Sequence, residues 1–185
     1  MARNDLVENA GRFVGRHAMV WTRGFDVPVE QVWEAISTKD GLDKWWITPV
    51  EIDLRVGGLF SHHWENTILD LKECEFIDFG GMRFEIKAVA ATTVFSLLDV
   101  WQEDAVPPGS ELSGRDAVDT VQPGGPGTPW SGVAGGWHCA IDDLETHLTG
   151  KAFEHSFEDR ARFYADYLTD HFRLLAYVSS DIRRE

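Results

Sequence analysis

Gly135-Gly136-Trp137-His138-Cys139-Ala140-Ile141-Asp142-Asp143-Leu144-Glu145-Thr146-His147-Leu148-Thr149-Gly150 carries a single apolar stripe. Trp137, Ile141, Leu144 and Leu148 recur at steps of four, three and four, the spacing of one face of an α-helix. Asp142, Asp143 and Glu145 fall off the stripe and are expected to face water. Gly135-Gly136 are expected to break whatever precedes the helix, and Gly150 offers a C-terminal stop. Such a helix reads as a rod around which upstream strands curl, with a cavity between rod and sheet.

The segments on either side of this rod are unlike it. Residues 107–132 are rich in Gly, Pro, Ser and Asp and lack periodicity. A connection of that length is a lid, a binding loop or a disordered segment. Beyond Gly150, Phe157, Ala161, Tyr164, Leu168, Phe172 (or His171) and Leu175 form one face of a second helical pattern over 157–179, and Phe163, Tyr167 and Leu174 add a second apolar flank. A face so broad needs cover, either from its own domain or from a second subunit.

Upstream the periodicity changes to two. Met82, Phe84, Ile86 and Ala88 alternate with Arg83, Glu85 and Lys87, the clearest strand of the chain. Ala90-Ala91-Thr92 is its hairpin, and Thr93 to Trp101 pairs back with Phe95, Leu97, Asp99 and Trp101 on one face. Leu59 to Glu65 reads as a strand with Phe60, His62 and Trp64 together, after a tight turn at Gly57-Gly58. Val50 to Val56 is expected to be extended, and Thr67 to Phe79 to hold one or two strands. Arg16 to Phe25 reads as the first strand, with Met19, Trp21 and Arg23 on one face. Pro28 opens a helix with Val29, Val32, Trp33 and Ile36 inward, and Asp40 to Trp46 is a second short helix or turn.

The chain has 185 residues, of which 43% are hydrophobic, enough for one domain with a sizeable core. Its formal net charge is −14, which opposes binding to nucleic acid or to an anionic membrane surface. Eight Trp point either to an aromatic-lined interior or to a Trp-rich core. Cys74 and Cys139 belong to no CxxC pair and, with no apolar leader in residues 1–8, lead to a cytoplasmic expectation.

Four segments in order then carry a family resemblance. They are Phe25-Asp26-Val27-Pro28-Val29-Glu30-Gln31-Val32-Trp33-Glu34-Ala35-Ile36, the pair Trp45-Trp46, Asp53-Leu54-Arg55-Val56-Gly57-Gly58-Leu59-Phe60, and Gly136-Trp137 leading into the helix with Leu144. Together they resemble the Bet v 1-like (START-like, SRPBCC) superfamily, and within it the domain named after the activator of the Hsp90 ATPase. The resemblance implies an α+β helix-grip fold: a curved antiparallel sheet around a long C-terminal helix, with two short helices after the first strand. It implies a hydrophobic cavity but no single function, since such folds serve carriers, cyclases and co-chaperone-like domains. The expected organisation is a lead-in over 1–15, the helix-grip domain over 16–150 and a helical extension over 151–185.

Strand alternation and the helix stripe give the expected lining: Trp46, Phe60, Trp64, Phe84, Ile86, Phe95, Leu97, Trp101, Trp137, Ile141 and Leu144. The expected function is binding of a hydrophobic, aromatic small molecule. His62 and Asp99 are polar residues on inward faces, so they are the candidate acid–base pair for the alternative, a polyketide cyclase or aromatase. A third reading is a co-chaperone-like module or a homodimer built on the 157–179 helix. No cofactor is implied. His62, His63 and Glu65, or His138, Cys139 and Asp142, do not make a metal site, because adjacent strand residues point to opposite faces and the helical set lacks a third ligand.

Overall fold

A computed structural model describes residues 11–13, 18–46, 48–62, 65–100, 129–153, 156, 159, 160 and 163, with side chains described except at 12, 13 and 129–135. The chain forms two compact units, residues 1–101 with 140–154 and residues 102–139 with 155–185.

The first unit holds the strands: β1 (Arg12–Phe13), β2 (Ala18–Phe25), β3 (Glu51–Ile52), β4 (Leu59–Ser61), β5 (Glu65–Thr67), β6 (Asp70–Lys72), β7 (Phe76–Asp78), β8 (Met82–Val89) and β9 (Thr92–Val100). Two short helices follow β2, α1 (Val29–Ser37) and α2 (Lys39–Leu42), and the long helix is α3 (Pro129–Thr149). All strand pairs are antiparallel. One sheet runs β1-β2-β9-β8-β7-β6 and a smaller one β3-β4-β5. This is the α+β helix-grip fold.

Register sets the core. Trp21, Leu97, Phe84 and Ile77 stand in one row across β2, β9, β8 and β7, and all are buried. The neighbouring rows are Arg23, Phe95 and Ile86 on one side and Met19, Asp99 and Met82 on the other. Ile141, Leu144 and Leu148 of α3 are buried in the same unit. Each such side chain contributes about 1.5–3 kcal/mol when fully removed from water.

Local chemistry explains the connections. Pro28 caps α1, its carbonyl accepting from the Gln31 and Val32 N–H groups. Asp26 accepts instead from Thr92 Oγ1 at 2.7 Å, tying this turn to the β8–β9 hairpin. Thr38 serves both short helices: its hydroxyl donates to the Glu34 carbonyl (2.8 Å) and accepts from the Gly41 N–H (3.0 Å). Val89 pairs with Thr92, so Ala90-Ala91 is a two-residue loop, and Ala90 takes the positive φ of 55° that such loops need.

The structure departs from the sequence expectations in several places. The extended run expected over Val50–Val56 stops at Ile52. Arg55 and Gly58 N–H groups bond back to the Asp53 and Arg55 carbonyls, turning the chain and leaving Leu54 and Val56 exposed. The strand expected over Leu59–Glu65 is a hairpin, with Ser61 opposite Glu65, so His62 lies in the bend after β4. Ala88 shares the inward face of β8 yet is exposed, being close to the hairpin end. The lead-in carries a two-residue strand, β1, where none was expected.

The largest correction concerns the opening helix. It runs unbroken through Gly135-Gly136 from Pro129, so 129–132 belongs to a helix rather than to the expected loop. Proline at the first helical position loses no hydrogen bond, and two glycines cost about 1 kcal/mol each without forbidding a helix. The C-terminal stop is as expected: Gly150 takes φ +71° and its N–H reaches the Thr146 carbonyl at 2.9 Å. The remainder of 107–132 lies outside the described residues.

In the second unit, Ser156 accepts from the Asp159 N–H and its carbonyl accepts from Arg160, starting a helical turn. Arg160 is buried and donates to the Cys139 carbonyl at 3.4 Å. Of the helix expected over 157–179, residues 159, 160 and 163 are described, and they are helical. Among the described residues no helix is long and apolar enough to cross a membrane.

Candidate functional site

The interior of the first unit is a connected series of aromatic rings. Phe25 meets Phe95 at 6.4 Å between centroids, Phe95 meets Phe84 at 5.7 Å, and Phe84 meets Phe79 at 5.2 Å. Phe79 lies 4.5 Å from Phe60. From the other side, Trp45 contacts Phe84 and Phe95, and its indole N–H donates to the Ala35 carbonyl at 2.9 Å, fixing the ring against α1. These separations are those of ordinary edge-to-face and tilted packing.

Among the described residues the series continues to Trp46 and His62. Trp46 stands 5.3 Å from Phe60, 5.4 Å from His62 and 5.9 Å from Phe84. Phe60 is fully buried, while Trp46 and His62 are half-buried. Asn66 of β5 completes this corner, its amide nitrogen 3.4 Å from His62 Nε2.

The expected lining residues fall into distinct groups. Phe60, Phe84, Ile86, Phe95, Leu97, Ile141 and Leu144 are all buried in the first unit. Trp46 lies at the half-buried edge. Trp137 is half-buried and belongs to the second unit. Trp64 and Trp101 lie outside the described residues. His62 sits in a bend and Asp99 on β9 opposite Met19 and Met82, both half-buried. A path of contacts relates them: Met82 accepts from the Phe79 N–H, Phe79 packs on Phe60, and Phe60 on His62. His62 follows β4 of the small sheet and Asp99 stands on β9 of the large one, and no direct contact between the two is among the described interactions.

A second polar feature has no counterpart in the sequence pattern. Asp142, expected in water, is completely buried, and its carboxylate receives Arg23 Nη1 at 2.6 Å. The same nitrogen reaches Glu145 at 3.1 Å, and Glu145 also accepts from Lys151 at 2.9 Å. Arg23 and Lys151 thus meet Asp142 and Glu145 across β2 and the end of α3. The available signal was Arg23 itself, a charged residue on the face of Met19 and Trp21. Asn66 left no such signal, because the register beyond Glu65 was not readable.

Perturbed titration is found elsewhere. Hydrogen bonding from the Val50 N–H, then from Lys39, holds the Asp43 carboxyl below its ordinary value, and Glu51 and Asp43 raise Lys39. Burial pushes the Cys74 thiol up. Among the described residues no group of His, Cys, Asp or Glu is arranged to hold a metal ion.

The family model described as Activator of Hsp90 ATPase homolog 1-like protein matches residues 26–149. The chain belongs to this family. The matched span includes α1, the aromatic series apart from Phe25, and the whole of α3. Solved structures with the same fold include the conserved protein of unknown function EF2215 from Enterococcus faecalis, at 17% identity over 91% of this chain and 94% of that one, TM-score 0.62. CalU16 from Micromonospora echinospora is similar at 15% identity over 85% and 91%, TM-score 0.56. The Aha1 dimer from Colwellia psychrerythraea is similar at 14% identity over 73% and 98%, TM-score 0.53. At these identities the likeness concerns the fold. No curated protein matches the chain in sequence.

Proposed function

We propose that this member of the Hsp90-ATPase-activator-like family binds a hydrophobic, aromatic small molecule. The observation that carries the reading is the half-burial of Trp46 and His62 beside the buried rings. Trp46 and His62 are half-buried beside the buried Phe60 and Phe84, so a planar ligand laid on their exposed part extends a series of edge-to-face and tilted rings already in place. In this reading the deeper lining residues Ile86, Phe95, Leu97, Ile141 and Leu144 support the wall, and Trp64, Trp101 and Trp137 are further lining candidates. We place the chain in the cytoplasm, a reading supported by Cys74 and Cys139 standing outside any disulfide. Native mass spectrometry against polyketides, flavonoids and lipids tests the main reading. Retention of an aromatic compound supports it; retention of lipids alone, or of nothing, overturns it.

A second reading, acid–base catalysis of the cyclase type, is supported by the half-burial of His62 and Asp99. Turnover of a polyketide substrate then falls by orders of magnitude in His62→Ala or Asp99→Asn, and unchanged turnover in both removes them from the mechanism. The dimeric state of the Colwellia protein supports a homodimer, and the broad apolar pattern of 157–179 is the surface we assign to it. Light scattering on the full chain and on a chain ending at Gly150 tests that.

A further inference from the structure

We infer that the aromatic ligand is a phenol, and that Asn66 is the residue that reads its hydroxyl group. The inference rests on the aromatic-binding reading above and names the class of compound within it.

The argument begins with register. Across the small sheet Ile52 stands opposite Phe60, and Phe60 opposite Asn66. Directly opposed residues of antiparallel strands share a face, so Asn66 lies on the face that carries the fully buried Phe60. Asn66 is itself half-buried between the exposed Glu65 and Thr67, so its amide stands at the solvent edge of that face, where a ligand can replace water. Among the described residues Asn66 makes one side-chain hydrogen bond, the 3.4 Å contact with His62 Nε2. An amide offers two N–H donors and an oxygen with two lone pairs. One donor and the whole acceptor therefore remain for another group.

What fits here is set by the neighbours. His62 holds the amide nitrogen and contacts both Trp46 and Phe60. A ring laid against Trp46 brings an edge substituent toward Asn66. A hydroxyl group both donates and accepts, and so matches the oxygen and the remaining N–H of the amide together. An alkyl substituent of the same size satisfies neither, and a site built for a hydrogen bond discriminates against the analogue lacking it.

The test uses two probes of nearly equal shape, 2-naphthol and 2-methylnaphthalene, titrated calorimetrically into the full chain. Naphthol is expected to bind about fivefold more tightly, the yield of one net hydrogen bond. Asn66→Leu and Asn66→Ala, each checked for native circular dichroism, are expected to bring the two affinities within about twofold by weakening naphthol alone. Equal affinities in the unaltered chain overturn the phenol inference and leave the aromatic-binding reading standing. A preference that survives both substitutions overturns the role of Asn66. Failure of both probes to bind overturns the inference together with the reading beneath it.

Discussion

Arg23 on β2 and Asp142 on α3, 119 positions apart in the chain, meet at 2.6 Å with both side chains buried. A buried ion pair adds little net stability, since desolvation offsets attraction. Its effect is on alignment. Any slip of α3 along β2 leaves a charge buried without its partner, at a cost of about 3–5 kcal/mol.

Replacing one member of that pair is therefore expected to be severe. Arg23→Met should lower unfolding free energy by about 3–5 kcal/mol, and Arg23→Met with Asp142→Leu should recover most of the loss. Urea denaturation of the three proteins measures this. A single variant within about 1 kcal/mol of the unaltered chain contradicts the alignment role.

The turn between β3 and β4 gives a second expectation. A Cβ on Gly58 would stand against the backbone oxygen of Asp53, while Gly57 has open space but a φ of +80°. Gly57→Ala should cost about 1–2 kcal/mol from backbone strain. Gly58→Ala should cost more, because backbone cannot rotate aside. Thermal unfolding of both variants checks the order, and the reverse order contradicts the turn geometry.

The exposed Lys39–Asp43–Glu51 group sets a pH dependence. Asp43 is held below its ordinary value of 3.8. It binds protons more weakly folded than unfolded, so its contribution is present above that value and is lost as pH falls through the lowered one. Lys39 is raised above 10.5. Its contribution is present below that value and is lost as pH rises through the raised one. Asp43→Asn should flatten the acid limb of the stability curve and, because Asp43 helps to raise Lys39, weaken the loss on the alkaline side as well. An unchanged acid limb removes Asp43 from the balance.

Much of the fold is legible in the chain because its core obeys two simple periods. Met82, Phe84 and Ile86 alternate without interruption, and Ile141, Leu144 and Leu148 keep helical spacing, so residue spacing alone assigns both faces. What is not legible depends on partners distant in sequence. Asp142 looks like a solvent residue until Arg23 is placed opposite it. His62 looks like a strand residue because Leu59–Glu65 alternates well, and only the pairing of Ser61 with Glu65 shows the bend. Within the candidate site, the ring composition is readable and the corner formed by Trp46, His62 and Asn66 is not, since it joins three separate segments. The helix start is hidden for a local reason: Gly135-Gly136 outweigh the proline signal at Pro129.

The most direct test of the central claim is a fluorescence titration of the unaltered chain and of Trp46→Phe with a planar aromatic flavonoid. The account predicts saturable quenching of tryptophan emission in the unaltered chain. In Trp46→Phe it predicts a smaller amplitude and a dissociation constant raised about two- to tenfold, the share of one aromatic contact. Absence of saturable quenching, or identical amplitude and affinity in the two proteins, contradicts a ligand site at Trp46.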